Sequence, residues 1–574
     1  MDDGSASIFC FTPLRVTVSE LDQRRATDAA SESASGPVCS APPIPHGPCP
    51  VCPRLEQEFE PWRQAAYWQS MHRRAVEREA QLKAENDQLK ALLRLREQQL
   101  FGRKTEAGAA TEPTVPPANL GTPPRRRRGQ QRGRKGPKRR DHSHLPAVVE
   151  DHELPPEQGR CSRCGQPFAD FPGTEDAILL EVDVRAHRRV IRRRRYRPTC
   201  SCAAHPGIVV APPPPRLIPK SLLGVSIWVD LLLDKYLFYR PTSRLLADWA
   251  THGLDLSLGT ITDGLKRLAP LFEPVYEALV RRSQGQTLWH ADETRWLVFA
   301  TIEGKVGYRW YLWVFHSAEV VVFVLAAGRS HEVPEEHFGP VEGRGILVVD
   351  RYKAYQAIDK VKSGRIVLAF CWAHVRRDFL TLARSWPEQE GWALDWVEQI
   401  GTLYHLNDER RKVRGDAAAF AVADGALRAA VTRLGEQGQS ELGEADLHPA
   451  RRKVLESLGD HWTGLTVFVE HPEVPMDNNT AERSERGPVV GRKNYYGSGS
   501  VWSGALAAML FSLFQTLCLW GLNPRLWLTA YLGACAEAGG RPPESVDRFL
   551  PWKLNAEQRR AWGGEDGSQT PDTS

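Results

Sequence analysis

The feature that most limits the fold of this 574-residue chain is a change of pattern after residue 284. Before it, residues 221–283 repeat apolar side chains at helical spacing. After it, short runs rich in β-branched and aromatic residues predict five strands and one helix. The predicted strands are Thr287–Ile302, Tyr308–His316, Val320–Ala326, Gly345–Val349 and Ile366–Phe370, with the helix near His331–Phe338. This pattern predicts an α/β domain, which we assign to residues 284–545.

Two aspartates belong to the strands of this domain. Three meandering strands, a helix and further strands are the order of a ribonuclease-H-like sheet, in which the first and fourth strands are neighbours. Asp292 lies on the first strand and Asp350 follows the fourth, so we expect their carboxylates to be close. Glu293 is adjacent to Asp292, but neighbouring residues of a strand face opposite sides of the sheet. Of the two acids we therefore choose Asp292.

A third acid, Glu482, stands among basic residues in the stretch from Met476 to Arg486. Asn479 precedes it by three residues, the spacing of a capping box at a helix start, and Arg486 would share its helix face. The following Gly491–Lys493 segment is interpreted as flexible and cationic, suited to phosphate oxygens. Alone, the stretch is better explained as a surface helix with ion pairs. The two upstream aspartates change that interpretation, because Glu482 could join them as the third carboxylate of a metal site.

Cutting and joining phosphodiesters is chemistry that three clustered carboxylates can serve. Two divalent cations held roughly 3.5–4 Å apart would activate the attacking oxygen and stabilise the leaving oxygen. Carboxylate oxygens are the ligands that Mg²⁺ prefers, and Mn²⁺ is the alternative ion. We therefore expect two such ions at this site.

Close cysteine pairs predict a second, structural metal site. Cys161 and Cys164 form one pair, and Cys200 and Cys202 form another beyond β-rich sequence. This arrangement suits a tetrahedral zinc ribbon within residues 151–216, with His205 as the alternative to Cys202, and free cysteines as the alternative to zinc. The total of eleven is odd, which favours metal ligands in a reducing cytoplasm over a disulfide framework.

The distribution of charge indicates nucleic acid as the partner. The net charge is only +5, but basic residues cluster before residue 200. Residues 105–150 form a basic, Pro- and Gly-containing linker that could bind phosphates without reading sequence, or act as a solvated tether. Between the cysteine pairs, the predicted strands of Val184–Tyr196 would repel one another unless an anion met them. We expect a DNA-facing hairpin whose contacts are Arg188, Arg189, Arg192, Arg193, Arg194 and Arg195.

Helical segments complete the domain organisation. Residues 1–54 are predicted to be disordered, and residues 55–104 to form an oligomerisation helix. Its heptad positions suggest a coiled coil of the leucine-zipper kind, with an ordinary amphipathic helix as the alternative; they are Leu82, Asn86, Leu89, Leu93 and Leu100. Residues 217–283 form a helical domain whose Leu245–Gly253 step and Ser257 have helix-turn-helix spacing, serving either DNA reading or packing.

The C-terminal half adds a helical insertion and one long uncharged run. The insertion covers residues 380–470, and we expect its Trp386, Trp392 and Trp396 to be core residues, not base-stacking ones. The uncharged run Gly504–Leu522 is interrupted by polar residues and is predicted to be a buried helix, not a membrane span. Residues 546–574 are predicted to be a loose tail. The start of the chain lacks the pattern of a signal peptide, so we expect a cytoplasmic, nucleoid-associated protein without a membrane partner.

Taken in order, these motifs resemble the large transposases of the insertion sequence 66 family, which are DDE transposases. The features that match are Phe101–Glu106, His144–Pro146, the cysteine pairs, Ala291–Thr294, Asp350–Tyr355, Cys371–His374, Asp477–Arg483 and Gly491–Asn494. The resemblance implies that Asp292, Asp350 and Glu482 are the catalytic, metal-binding triad. It also implies that His374, Arg492 and Lys493 lie near the site or contact DNA, for which we add Arg483 and Arg486. Two features depart from the family pattern: the short Cys200–Cys202 spacing, and Arg351 in place of a small residue.

We therefore expect a transposase that binds the terminal inverted repeats of its element and catalyses metal-dependent strand cleavage and strand transfer. Its expected partners are double-stranded DNA, as ends and as target, a second copy of the chain, and accessory proteins of the same element. Two other classes stay open. One is a catalytically silent DNA-binding regulator, and the other is a ribonuclease-H-like nuclease or junction resolvase without strand transfer.

Overall fold

A computed structural model describes residues 52–101, 163–164, 166, 186–197, 208–302 and 307–563. The basic linker, both chain ends and most of the expected zinc ligands (Cys161, Cys200, Cys202 and the alternative His205) lie outside these residues. Cys164 is described and is exposed. The zinc ribbon therefore stays a prediction.

The chain divides into two compact units, Met1–Leu89 and Lys90–Ser574. Helix α1, Cys52–Phe101, is the described part of the first unit and continues past its boundary. This confirms a helix where residues 55–104 predict one. Leu82, Leu89 and Leu93, three of the predicted heptad positions, are between 49% and 66% exposed. The helix thus presents apolar side chains to solvent, and the coiled coil stays a prediction.

The first described strands of the second unit form a short arginine-rich ladder. Strands β1 (Arg195–Tyr196) and β2 (Val209–Val210) pair antiparallel. Of the predicted Val184–Tyr196 strands, the structure describes residues 186–196, and among these Arg195 and Tyr196 are in a strand. The six arginines expected to contact DNA are all exposed.

Three helices follow: α2 (Val225–Tyr236), α3 (Thr242–Thr251) and α4 (Leu258–Gln284). They confirm a helical segment at residues 217–283, and its helix-turn-helix role stays a prediction. Gly253 permits the turn after α3, because its φ of +78° is a conformation that other residues rarely adopt. Ser257 caps α4 by accepting a hydrogen bond from the Thr260 N–H at 3.2 Å. These helices share one hydrophobic core with the sheet that follows.

Five strands form that sheet: β3 (Leu288–Leu297), β4 (Arg309–His316), β5 (Val321–Ala326), β6 (Gly345–Val349) and β7 (Ile366–Phe370). Their order is β5–β4–β3–β6–β7; β3, β4 and β5 are antiparallel neighbours, while β6 runs parallel to β3 and β7. Helix α5, Glu332–Phe338, connects β5 to β6. The predicted strands and helix are confirmed, except that β3 ends at Leu297 and not at Ile302.

Two short helices, α6 (Lys353–Gln356) and α7 (Asp359–Lys362), connect β6 to β7. A helical segment follows β7; its α-helices are α8 (Trp372–Ser385), α9 (Glu390–Lys412), α10 (Ala417–Leu442), α11 (Pro449–Asp460), α12 (Trp462–Leu465) and α13 (Val467–Glu470), with a 3₁₀ turn at Pro387–Gln389. Trp396 is fully buried and stacks on Phe379 at a ring distance of 5.1 Å. The indoles of Trp392 and Trp396 both donate to Glu441. The core interpretation of these two tryptophans is confirmed.

The last elements are α14 (Asn479–Tyr495), α15 (Val501–Leu519), α16 (Pro524–Glu537), α17 (Ala556–Ala561), and 3₁₀ turns at Asp547–Phe549 and Pro551–Lys553. Among the described residues, α15 is the helix long and apolar enough to cross a membrane, but it is 67% buried inside the fold. Its Ser512 and Thr516 hydroxyls accept the backbone N–H groups of Phe323 and Val321 at 2.7 and 3.0 Å. The polar interruptions thus satisfy the free edge of β5, and the predicted core helix is confirmed.

Candidate active site

Asp292 and Asp350 lie at corresponding positions of two adjacent parallel strands. In the register of β3 and β6, His290 pairs with Val348. Asp292 and Asp350 each follow those partners by two residues, so both lie at the same edge of the sheet. One oxygen of each side chain accepts a nearby backbone N–H: Asp292 Oδ1 from Glu293, and Asp350 Oδ1 from Tyr352, both at 2.9 Å.

Asp292 and Glu293 face different sides of the sheet, as strand geometry predicts. The Glu293 carboxylate is 1% exposed and accepts hydrogen bonds from Arg329 Nε at 2.8 Å and from the Tyr355 hydroxyl at 2.5 Å. The side chains of His290 and Thr294, which share the face of Asp292, instead contact Asn478 and Arg492 at the two ends of α14. Asp292 is therefore the acid that faces α14.

Glu482 lies in the first turn of α14, close to the point where this helix meets β3. The N-cap is Asn478 and not Asn479, and no side-chain cap is made, so the capping-box prediction was wrong. The reason is that the Asn478 amide has another role. It is 1% exposed, its Nδ2 donates to the Ala291 carbonyl at 2.7 Å, and its Oδ1 lies 3.2 Å from His290 Nδ1. This amide joins the start of α14 to β3.

Cys371 and Trp372, which follow β7, also make hydrogen bonds to the start of α14. Cys371 Sγ accepts the Asn478 N–H at 3.2 Å, and the Trp372 N–H donates to the Met476 carbonyl at 2.9 Å. Burial raises the pKa of the Cys371 thiol to about 11, so the sulfur stays protonated at neutral pH. The sequence marked the Cys371–His374 motif but did not reveal this anchoring role.

The middle and the end of α14 are fixed by Gly487 and Arg492, respectively. A Cβ at Gly487 would lie 1.9 Å from the Tyr239 hydroxyl, so the helix can rest on that ring only without a side chain there. Arg492 Nη1 donates to Thr294 Oγ1 at 3.1 Å and to the Arg295 carbonyl. The Gly491–Lys493 segment is therefore part of α14, and its predicted flexibility was wrong because the helix continues to Tyr495.

Negative charge accumulates between β3, β6 and α14. Burial raises the pKa of Asp292 to about 7, assisted by the charges of Glu293, Asp350 and Glu482 and opposed by the hydrogen bond from Glu293 N–H. Burial also lowers the pKa values of His290 to about 4 and of His316 to about 3, so both imidazoles are neutral at pH 7. The Arg377 guanidinium approaches Glu482 Oε1 only to 3.9 Å.

The remaining predicted residues lie on or around the same elements. Arg483, Arg486 and Lys493 of α14 are exposed, as phosphate contacts require. His374 is half-buried, its pKa is lowered chiefly by burial, and its Nδ1 has no hydrogen-bond partner in the described structure. The charges of Asp350 and Glu482 oppose this lowering of its pKa, whereas the charge of Arg377 adds to it. Arg351 instead forms an ion pair with Asp378, and its Nη1 donates a hydrogen bond to Ser457 Oγ at 2.9 Å.

The donor chemistry of these residues fits a hard divalent cation, although the side chains do not form a finished coordination shell. Within the described ranges, no three His, Cys, Asp or Glu side chains converge as metal ligands. Asp292, Asp350 and Glu482 offer the oxygen ligands that Mg²⁺ prefers. Neighbouring carboxylates repel each other when ionised, and a cation removes that repulsion. We therefore regard the residues as compatible with Mg²⁺.

The chain belongs to the IS66 transposase family. The profile of the family described as "Transposase IS66 family" matches residues 220–506, which is half of the chain. The matched range contains β3, β6 and all of α14, and with them Asp292, Asp350 and Glu482.

Three proteins of Sinorhizobium fredii (strain NBRC 101917 / NGR234) are similar to it over most of their length. Uncharacterized protein y4jD is 27% identical over 72% of this chain and 81% of its own. Uncharacterized protein y4hP is 24% identical over 68% of this chain and 73% of its own. Uncharacterized protein y4qI is 28% identical over 67% of this chain and 74% of its own.

Proposed function

We propose that this transposase binds the terminal inverted repeats of its insertion sequence and catalyses metal-dependent DNA cleavage and strand transfer, with Asp292, Asp350 and Glu482 as its triad. The observation that carries the proposal is the register of β3 and β6, which puts the two aspartates side by side. Helix α14 brings Glu482 to the same region, since Asn478 and Arg492 fix it to β3 at both ends. The strand order β5–β4–β3–β6–β7 supports a ribonuclease-H-like domain.

The triad would hold two Mg²⁺ ions, or Mn²⁺ in their place. When bound, these ions activate an attacking oxygen and stabilise the leaving oxygen of a phosphodiester. Within the chain, Arg483, Arg486 and Lys493 bind DNA phosphates on the helix that carries Glu482, so α14 orients the scissile phosphate relative to the acids.

The proposed reaction has two displacements at phosphorus. In the first, water oxygen bonds to phosphorus as the bond to the 3′-oxygen breaks, which frees a 3′-hydroxyl end. In the second, that 3′-oxygen bonds to a target phosphorus while a target P–O bond breaks and the hydroxyl proton leaves. The chain forms no covalent bond to DNA in either step.

End recognition is proposed for the N-terminal modules. The exposed arginines before β2 and the helix-turn-helix of α3 and α4 would bind the terminal repeats, supported by a zinc ribbon at Cys161, Cys164, Cys200 and Cys202. The exposed leucines of α1 suit pairing with a second copy of the chain. A cytoplasmic, nucleoid-associated location and accessory proteins of the same element are part of this proposal.

The test is an assay of DNA carrying the gene's own flanking repeats, with Mg²⁺ and any accessory proteins supplied. Wild type should release 3′-ends and produce joined strands, and Glu482→Gln should bind the same DNA but yield neither product. Binding without cleavage by both proteins would indicate a regulator. Cleavage without joined strands would indicate a nuclease.

A further inference from the structure

Glu485 is a buried acid that the triad does not account for. It lies on α14 one turn after Glu482 and is 8% exposed. Its Oε1 has no hydrogen-bond partner in the described structure. A buried carboxylate oxygen without a partner is unfavourable, and native proteins rarely keep one without a reason.

The helix face on which Glu485 lies is directed at β3. Glu482, Glu485 and Arg492 are three and seven residues apart, which puts them on one side of α14. Arg492 contacts Thr294 on β3, two residues from Asp292. Glu485 therefore lies between the two points at which α14 is fixed to the strand of Asp292.

The electrostatic surroundings agree with this position. Burial raises the pKa of Glu485 well above its ordinary value, and among its charged neighbours Asp292 contributes most, followed by Glu293. Arg492 opposes the shift, but its guanidinium donates to Thr294 Oγ1 and to the Arg295 carbonyl. An ion pair with Arg492 thus leaves Oε1 unexplained, and simple packing would be better served by an apolar side chain.

We propose that Glu485 is a fourth carboxylate of the divalent-cation site, supplying an oxygen ligand beside Asp292. This inference rests on the proposed function, because the cation is the one assigned to the triad. A cation between the two side chains would neutralise both charges and would give Oε1 the partner that it lacks. The chain would then hold its metal with one acid more than the triad supplies.

The test is direct titration of Mn²⁺ into the full-length protein, with free Mn²⁺ measured by electron paramagnetic resonance. The variants are Glu485→Gln and Asp292→Asn, and the control is Glu273→Gln, which removes an exposed carboxylate of α4. We expect Glu485→Gln to weaken Mn²⁺ binding at least about tenfold, as Asp292→Asn does, and Glu273→Gln to bind like wild type. Thermal unfolding without metal should show that Glu485→Gln remains folded.

Two outcomes overturn the inference in distinguishable ways. Wild-type affinity in Glu485→Gln, with loss in Asp292→Asn, would leave the triad standing and exclude Glu485 as a ligand. No Mn²⁺ binding by wild type would contradict the metal site of the proposed function as a whole. If Glu485→Gln does not fold, Glu485→Asp replaces it, since a carboxylate retracted by one methylene should also bind Mn²⁺ more weakly. Unchanged affinity in Glu485→Asp would overturn the inference.

Discussion

At the residue scale, Asp292 makes the stability of the fold depend on pH. Burial and the acids around it raise its pKa in the folded chain to about 7, whereas the ordinary value is 3.8. The stability that this group contributes is therefore fully present below about pH 4. It is lost as the pH rises through 7, because the unfolded chain ionises the carboxyl more readily.

Asp292→Asn should consequently stabilise the metal-free protein at high pH. We expect a gain of about 2 kcal/mol in the free energy of unfolding at pH 8, roughly half of the full shift because water reaches part of the site. The gain should shrink towards zero near pH 4. Urea unfolding at several pH values measures it, with Asp255→Asn as the control at an exposed position. An equal gain at every pH would contradict the role of ionisation.

The side chain of Asn478 stabilises the fold through its hydrogen bonds to β3. Asn478→Ala should cost about 2–3 kcal/mol of stability, since it leaves the Ala291 carbonyl and His290 without their partner inside the fold. DNA cleavage should fall as well, because the turn that carries Glu482 loses its link to β3. The adjacent Asn479→Ala is the matched control for both unfolding and cleavage. Equal destabilisation by the two variants would show that the buried amide is not the link.

At the scale of elements, the position of α14 decides whether Glu482 can reach the two aspartates. Gly487→Ala should move the helix, since the new Cβ would overlap the Tyr239 hydroxyl. We expect the cleavage rate to fall by about a hundredfold, the typical effect of a small misplacement in an active site. Gly459→Ala on α11 is the control, because nothing lies within 4 Å of its Cβ and alanine favours a helix by up to about 1 kcal/mol. Full cleavage by Gly487→Ala would mean that α14 does not position the acid.

The sequence predicted the elements of this region better than their contacts. The strands β4 to β7 follow from runs of β-branched and aromatic residues. Strand alternation indicates that only one of Asp292 and Glu293 can reach the site, but it does not say which. The N-cap was assigned to the wrong one of two neighbouring asparagines. The choice between Asn478 and Asn479 depends on β3, which the local spacing does not contain.

In the whole molecule, the helices before residue 285 and the sheet after it share one hydrophobic core, and the sequence did not predict which elements pack together. Periodicity tells which face of α4 is apolar, but not that its partners are the sheet and α15. Gly264 illustrates this, since a Cβ there would lie 2.0 Å from the Trp228 ring, and no local pattern predicts that contact. Likewise the sequence analysis did not single out Glu485, whose burial depends on the packing of α14 against the rest of the fold.

The central claim is that Asp292, Asp350 and Glu482 are ligands of the same reaction centre. The most direct test is to replace each by cysteine and to compare DNA strand cleavage in Mg²⁺ and in Mn²⁺. A thiolate is a poor ligand for Mg²⁺ and a better one for the softer transition-metal ion. Each of the three variants should lose cleavage in Mg²⁺ and regain part of it in Mn²⁺. Equal cleavage in both ions, or a loss that Mn²⁺ does not relieve in any variant, would contradict the claim.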